Sequence, residues 1–207
     1  ISLIVNDRPK EFFFLFLLLV TGVFGVFASL DLFLLFVFYE LAVLPMYLLI
    51  GVWGSTRKEY GAMKLTLYLL VGSAFVFIGM LALYFQSGIN SFDLLALSKV
   101  DFPIQFQKTV FPLLFIGFAV LGGLWPLHTW SPVGHVAAPT SVSMLHAGVL
   151  MKLGAYGCFR VAMFLLPEGA RFWLPAIAVL ATVNIVYGSM VAMVQRDFKF
   201  VIGYSSV

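Results

Sequence analysis

The chain alternates long apolar runs with short polar breaks, and the breaks carry almost all of its charge. A helix needs about 20 mostly apolar residues, at about 1.5 Å of rise each, to cross roughly 30 Å of hydrocarbon. Six runs meet or approach that length: 11–30, 32–53, 61–85, 108–125, 140–166 and 171–194. Asp31 is a helix-start signal ahead of the second run. STRKEY makes a polar turn before the third. Residues 86–107 read as a longer loop, in which SFDLLAL predicts one or two interfacial helical turns.

The fourth run is irregular. Pro112 lies near its start, Gly122 and Gly123 near its end, and Pro126 and Pro132 follow in WPLHTWSPVGH. Such residues break helices, and freed backbone groups at membrane depth persist only beside protein or water. The pattern predicts an interrupted helix. The fifth run starts after Pro139, with Thr140 as its cap.

These elements predict an all-α, polytopic transmembrane helix bundle with one interrupted helix, a single membrane domain over 1–207. Composition agrees: 62% of residues are hydrophobic, 10% are charged and mean hydropathy is +1.07. A soluble domain is about 45–50% apolar and about 25% charged. The net charge of +3 does not indicate nucleic acid, because the basic residues are few and sit at the ends of apolar runs. The lone cysteine, Cys158, has no disulfide partner and reads as a small buried hydrophobe. The chain opens on Ile1 with no signal-peptide pattern and stops in QRDFKFVIGYSSV, the entry to another element. It reads as an internal piece of a longer polytopic protein.

Lys/Arg bias sets orientation. Arg8, Lys10, Arg57, Lys58, Arg196 and Lys199 mark one side, read as cytoplasmic. Lys99, Lys108 and Arg171 mark the other, with Arg160 snorkelling towards it.

Two charges break the pattern. Glu40 lies deep in the second run and Lys152 deep in the fifth. A charge at a membrane-helix centre costs about 2.5–3.5 kcal/mol on insertion scales. One reading is structural: a neutral carboxylic acid bonded to a neighbouring helix, and half of a buried ion pair. The other is a proton relay, since burial and nearby charge can poise such groups to load and release a proton. Pro45, five residues beyond Glu40, removes the amide that would pair with the Leu41 carbonyl and leaves an acceptor for water. Ala147, Gly148, Gly154, Ala155 and Gly157 around Lys152 permit close helix approach or leave room for water.

His146 lies six residues before Lys152, about 120° around an ideal helix, so only water or a local bulge would join them. It is a relay candidate or a histidine satisfied by a neighbouring helix. His128 and His135, in the broken-helix loop, read as capping or relay residues. Their spacing, without a nearby Cys, Asp or Glu, argues against a metal. Lys64 either snorkels or tunes the charge of Glu40. No phosphate loop, CxxC, haem-ligand pair or nucleophile motif is present.

ELAVLPMYLLIGVWG, YGAMKLTLYLLVGSAFVFIGMLALYF, PLHTWSPVGHVAAPTSVSMLHAGVLMKLGAYG and QRDFKFVIGYSSV occur in that order. Together they resemble the antiporter-like subunits of respiratory complex I, NADH:quinone oxidoreductase, of the subunit M (chain 4) type. The resemblance implies two inverted five-helix repeats, with 11–166 as the first and 171–207 starting the second. It implies proton translocation driven by quinone reduction elsewhere in the complex. Glu40 matches the key glutamate, Lys152 the central lysine and Lys64 the lysine that sets the glutamate's charge.

It also implies no cofactor on this chain, with FMN, iron–sulfur clusters and quinone in partner subunits. The implied partners are other membrane-arm subunits and the lipid bilayer, with no nucleic acid, in a bacterial inner, mitochondrial inner or thylakoid membrane. A cation/proton antiporter subunit (Mrp-like), a membrane-bound hydrogenase subunit and a structural anchor are the alternatives. One departure stands out: the family's broken-helix lysine is Leu121 here, so Glu40 needs Lys64 or Lys152 as its cation, or its coupling is altered. SPVGH stands where PDAH is common, so an acid is missing beside His135, and DFKF lacks the arginine often found after the lysine.

Overall fold

The computed structural model describes residue 5 and residues 7–207, and among them it is built of helices. In order these are α1 Pro9–Ala28, α2 Leu32–Trp53, α3 Lys58–Ser87, α4 Leu94–Leu97, α5 Ile104–Gly122, α6 Trp130–Ala137, α7 Thr140–Leu145, α8 Met151–Gly157, α9 Pro167–Val194 and α10 Phe198–Ser206. Two π turns, His146–Leu150 and Cys158–Met163, join α7 and α8 into one continuous helix, Thr140–Met163. Among the described residues, six helices are long and apolar enough to cross a membrane.

The loop after α3 is anchored rather than loose. Asp31 caps α2 by accepting from the Leu34 amide at 2.9 Å, and Asp93 caps the single turn of α4. The Leu32 amide donates to the Phe92 carbonyl and the Leu94 amide to the Leu30 carbonyl. The two caps thus share one short antiparallel bridge, which fastens the loop to the α1–α2 turn.

The helix ahead of the break starts earlier than the apolar run suggested, at Ile104 rather than 108. Gln107 explains this. Its side chain donates to the Phe102 carbonyl and accepts from the Glu168 and Gly169 amides, so a polar residue is satisfied inside the bundle.

The interruption falls at Gly123, whose φ of 72° lies in the left-handed region that glycine tolerates. The released backbone is re-satisfied by neighbours. The Trp125 amide donates to Asn184 Oδ1 at 2.9 Å, and the Trp130 indole donates to the Val120 carbonyl at 2.9 Å. Small residues hold the helices together. A Cβ on Gly22 would lie 2.8 Å from the Ala42 amide, and one on Gly117 2.7 Å from the Gly72 carbonyl. Gly157 lies against the ring of Phe118. Without water between helices, such close packing is a main source of association.

The ends segregate as the Lys/Arg bias implies. Trp53 donates to the Asp7 carbonyl, Ser55 to Ala137 and Lys199 to Ala138, gathering the basic first side at one end. Trp173 donates to the Lys108 carbonyl, and Arg171 pairs with Glu168, at the other.

Candidate functional site

Two cavities, each of about 470 Å³, are lined by the two intramembrane charges, Glu40 half-buried and Lys152 exposed. The first lies between α2 and α3, where Glu40 shares it with Leu41, Leu44, Tyr47, Thr66 and Leu70. Glu40 is half-buried, and its Oε1 is buried without a hydrogen-bond partner. Thr66 does not reach it, because its hydroxyl donates to the Ala62 carbonyl. Among the described residues no lysine or arginine nitrogen comes within 4 Å of the Glu40 carboxylate. Neither Lys64 nor Lys152 therefore stands in for the missing broken-helix lysine in this structure. Leu121, at that position, is buried in the apolar core.

Lys64 points elsewhere. Its ammonium sits 5.8 Å from the centre of the Tyr60 ring. One turn on, the Tyr68 hydroxyl accepts from Thr129 at 3.1 Å, beside His128 in the broken-helix loop. His128 is buried with neither ring nitrogen bonded, and Tyr187 and Tyr204 approach its ring at 5.1 and 6.3 Å.

The second cavity lies where α7 and α8 face α10. Lys152 and Lys199 line it with Thr140, Ser143, Ser205 and Ser206. The Lys152 ammonium donates to the Ala147 carbonyl at 2.6 Å, within the first π turn. An ammonium has three donors, so two remain for the cavity. The small residues divide between the two readings the sequence left open. Gly154 packs, since a Cβ there would lie 2.5 Å from the Phe118 carbonyl, whereas Gly148 meets nothing within 4 Å and lines the cavity.

His146 and Lys152 face different ways. His146 turns inward and is sandwiched between two rings, Trp130 at 5.3 Å and 10°, and His135 at 4.2 Å and 22°. Both histidines are fully buried. His146 has no bonded nitrogen, and His135 uses one, its Nδ1, at 3.0 Å from Ser143 Oγ. Leu65 of α3 closes the far side, against Gly134. The next residue, Thr66, lines the Glu40 cavity. A single wall of α3 thus separates the histidine pair from the glutamate.

The structure brings Lys152, His135 and His146 into one neighbourhood, with Glu40 across α3 and with Lys64 and His128 along the broken-helix loop. Sequence reasoning passed over Ser143 and the indole of Trp130, and used Lys199 only as an orientation charge. The available signal was the position of Ser143, one turn before His146 on the same helix face. Cys158 is buried, with its thiol 3.8 Å from the Phe115 carbonyl. No group of three or more potential metal ligands occurs among the described residues.

This bundle, with its break and its two charged cavities, has counterparts of known kind. A family profile described as NADH:quinone oxidoreductase/Mrp antiporter, transmembrane, matches residues 29–207. The chain belongs to this family. It is an integral membrane protein. The chain is 42% identical over 204 residues to an NAD(P)H-quinone oxidoreductase chain 4 of Picosynechococcus, covering 98% of this chain and 37% of that one. It is 39% identical over 216 residues to NADH-quinone oxidoreductase subunit M of Rhodobacter capsulatus, covering 98% and 42%. Among solved structures it resembles a chain of respiratory complex I from Thermus thermophilus with bound NADH, at TM-score 0.89 and 30% identity, over 94% of this chain and 42% of that one. An archaeal membrane-bound sulfane sulfur reductase matches at TM-score 0.88 and 27% identity, over 99% and 42%. The chain thus spans about two fifths of the length of these relatives.

Proposed function

We propose that the chain is part of a subunit that carries protons across a bacterial membrane within an NAD(P)H- or NADH-quinone oxidoreductase. The observation that carries this reading is the second cavity. It holds Lys152 and Lys199, and it is linked through Ser143 to a buried histidine pair. A packing core has no use for such a path. Groups that accept and release protons are expensive inside a membrane and mark proton relays when they line water-accessible space.

In this reading Lys152 is the central proton carrier, His135 and His146 form the inner branch, and Glu40 is a second loading site beyond α3. Lys64 and His128 act along the broken helix as charge-tuning and gating groups. The redox chemistry, with its FMN, iron–sulfur clusters and quinone, belongs to partner subunits. Other membrane-arm subunits and lipid are the neighbours of this chain. A sodium/proton antiporter assembly is the second reading, because the matching family spans both kinds of protein. Identity near 40% to two quinone oxidoreductase chains favours the first.

The test uses the full-length subunit in its assembled complex, reconstituted in vesicles. Glu40→Gln and Lys152→Ala are each expected to lower protons moved per electron while the complex still assembles. Unchanged translocation in Lys152→Ala overturns the reading; unchanged translocation in Glu40→Gln alone removes the second loading site from it. Sodium-dependent transport by an assembly that purifies without flavin and iron–sulfur proteins selects the antiporter instead.

A further inference from the structure

We propose that Ser143 is the proton-passing hydroxyl between the Lys152 cavity and the buried histidine pair. This deepens the proposed function and rests on it.

Three observations converge on this one side chain. Ser143 lines the cavity that holds Lys152 and Lys199. Its Oγ lies 3.0 Å from His135 Nδ1. His135 and His146 beyond it are fully buried, with His135 Nε2 and both nitrogens of His146 unbonded. Among the described residues, Ser143 is the only side chain hydrogen-bonded to a histidine. The pair's polar link to the open space therefore passes through one hydroxyl.

A serine hydroxyl suits that place because it donates and accepts at once. In the transfer step the Ser143 O–H bond breaks as a His135 Nδ1–H bond forms. A new O–H bond forms on Ser143 with a proton from the cavity side, where the Lys152 ammonium, or water hydrogen-bonded to it, gives one up. Serine is unchanged at the end, Lys152 has lost a proton and His135 is an imidazolium. The cavity can hold the connecting water: it measures about 470 Å³, and one water takes about 30 Å³ of liquid volume.

Ser143 also has the right surroundings for a fixed geometry. It lies in the last turn before the π turn, with its amide bonded to the Pro139 carbonyl at 2.8 Å. His135 is held in α6 between Ser143 and the ring of His146. Neither partner is on a free loop.

The experiment compares Ser143→Ala, Ser143→Thr and Lys152→Ala in the full-length subunit of the assembled complex, in vesicles. Protons moved per electron are measured alongside the electron-transfer rate and complex assembly. Ser143→Ala is expected to lose as much translocation as Lys152→Ala, and Ser143→Thr to restore it. A merely structural serine would show its defect in assembly and would be rescued no better by threonine. Should Ser143→Ala fail to assemble, Ser143→Cys keeps the volume but offers only a weak donor, and is expected to lower translocation. If Lys152→Ala loses translocation while Ser143→Ala or Ser143→Cys pumps normally, this inference is overturned and the proposed function stands. If Lys152→Ala itself pumps normally, the proposed function falls and this inference with it.

Discussion

Lys152 is bonded to the carbonyl of Ala147, five residues back on its own helix, at 2.6 Å. No acid answers it among the described residues. Ala147 belongs to the first π turn, and such turns recur at functional sites. The lysine is therefore held by a neutral dipole, which steadies the ammonium but does not trap its charge as a carboxylate would.

From that follows a distinction between charge and proton transfer. Lys152→Arg keeps the positive charge and reaches the same carbonyl, but a guanidinium does not deprotonate in proteins. We expect Lys152→Arg to assemble normally and to lose translocation as fully as Lys152→Ala. Vesicle acidification per electron checks it.

Among the described residues, no cation comes within 4 Å of the Glu40 carboxylate. Breaking a buried ion pair by removing one partner costs about 3–5 kcal/mol. Glu40→Gln, which keeps the shape and removes only the ionisable group, is expected to leave the denaturation midpoint of the purified full-length subunit unchanged or raised. A loss on the scale of a broken pair would reveal a partner for its carboxylate.

The glycines around Lys152 give a paired prediction. Gly154→Ala forces a methyl group against the Phe118 carbonyl and the Gly122 backbone, so the α5–α8 contact must open. Overpacking of this kind costs about 1–3 kcal/mol. Gly148→Ala meets no atom of the described residues within 4 Å and is expected to shift stability by less than about 0.5 kcal/mol. Thermal aggregation of the two variants in one detergent separates them.

Asn184 holds the broken helix from α9, accepting from the Trp125 amide and donating to the Val207 carbonyl. Asn184→Leu leaves the Trp125 amide without that partner, at about 1–3 kcal/mol if it stays buried and unpaired. Faster hydrogen exchange at the Trp125 amide, with little change in α2, is the expected result.

Much of this architecture could be read from the residues. Apolar runs of membrane length gave the six crossing helices, and Gly123 with Pro126 gave the break, because both depend on local chemistry. Glu40 and Lys152 stood out for the same reason: a charge is conspicuous among leucines and phenylalanines. The π turns were not legible, since HAGVL and CFRVAM contain no residue that forbids an ordinary helix, and packing decides between the two. Ser143 was hidden by its ordinariness. Its contact with His135 depends on α6, which delivers that ring from eight residues upstream across a proline corner. The start of α5 was misplaced because Gln107 looks like a loop residue until its three partners are seen.

The sandwich of Trp130, His146 and His135 has a practical use. An indole stacked on an imidazole loses fluorescence when that ring gains a proton. With the other tryptophans replaced by phenylalanine, the emission of Trp130 becomes an optical gauge of the charge on His146, readable without any added dye.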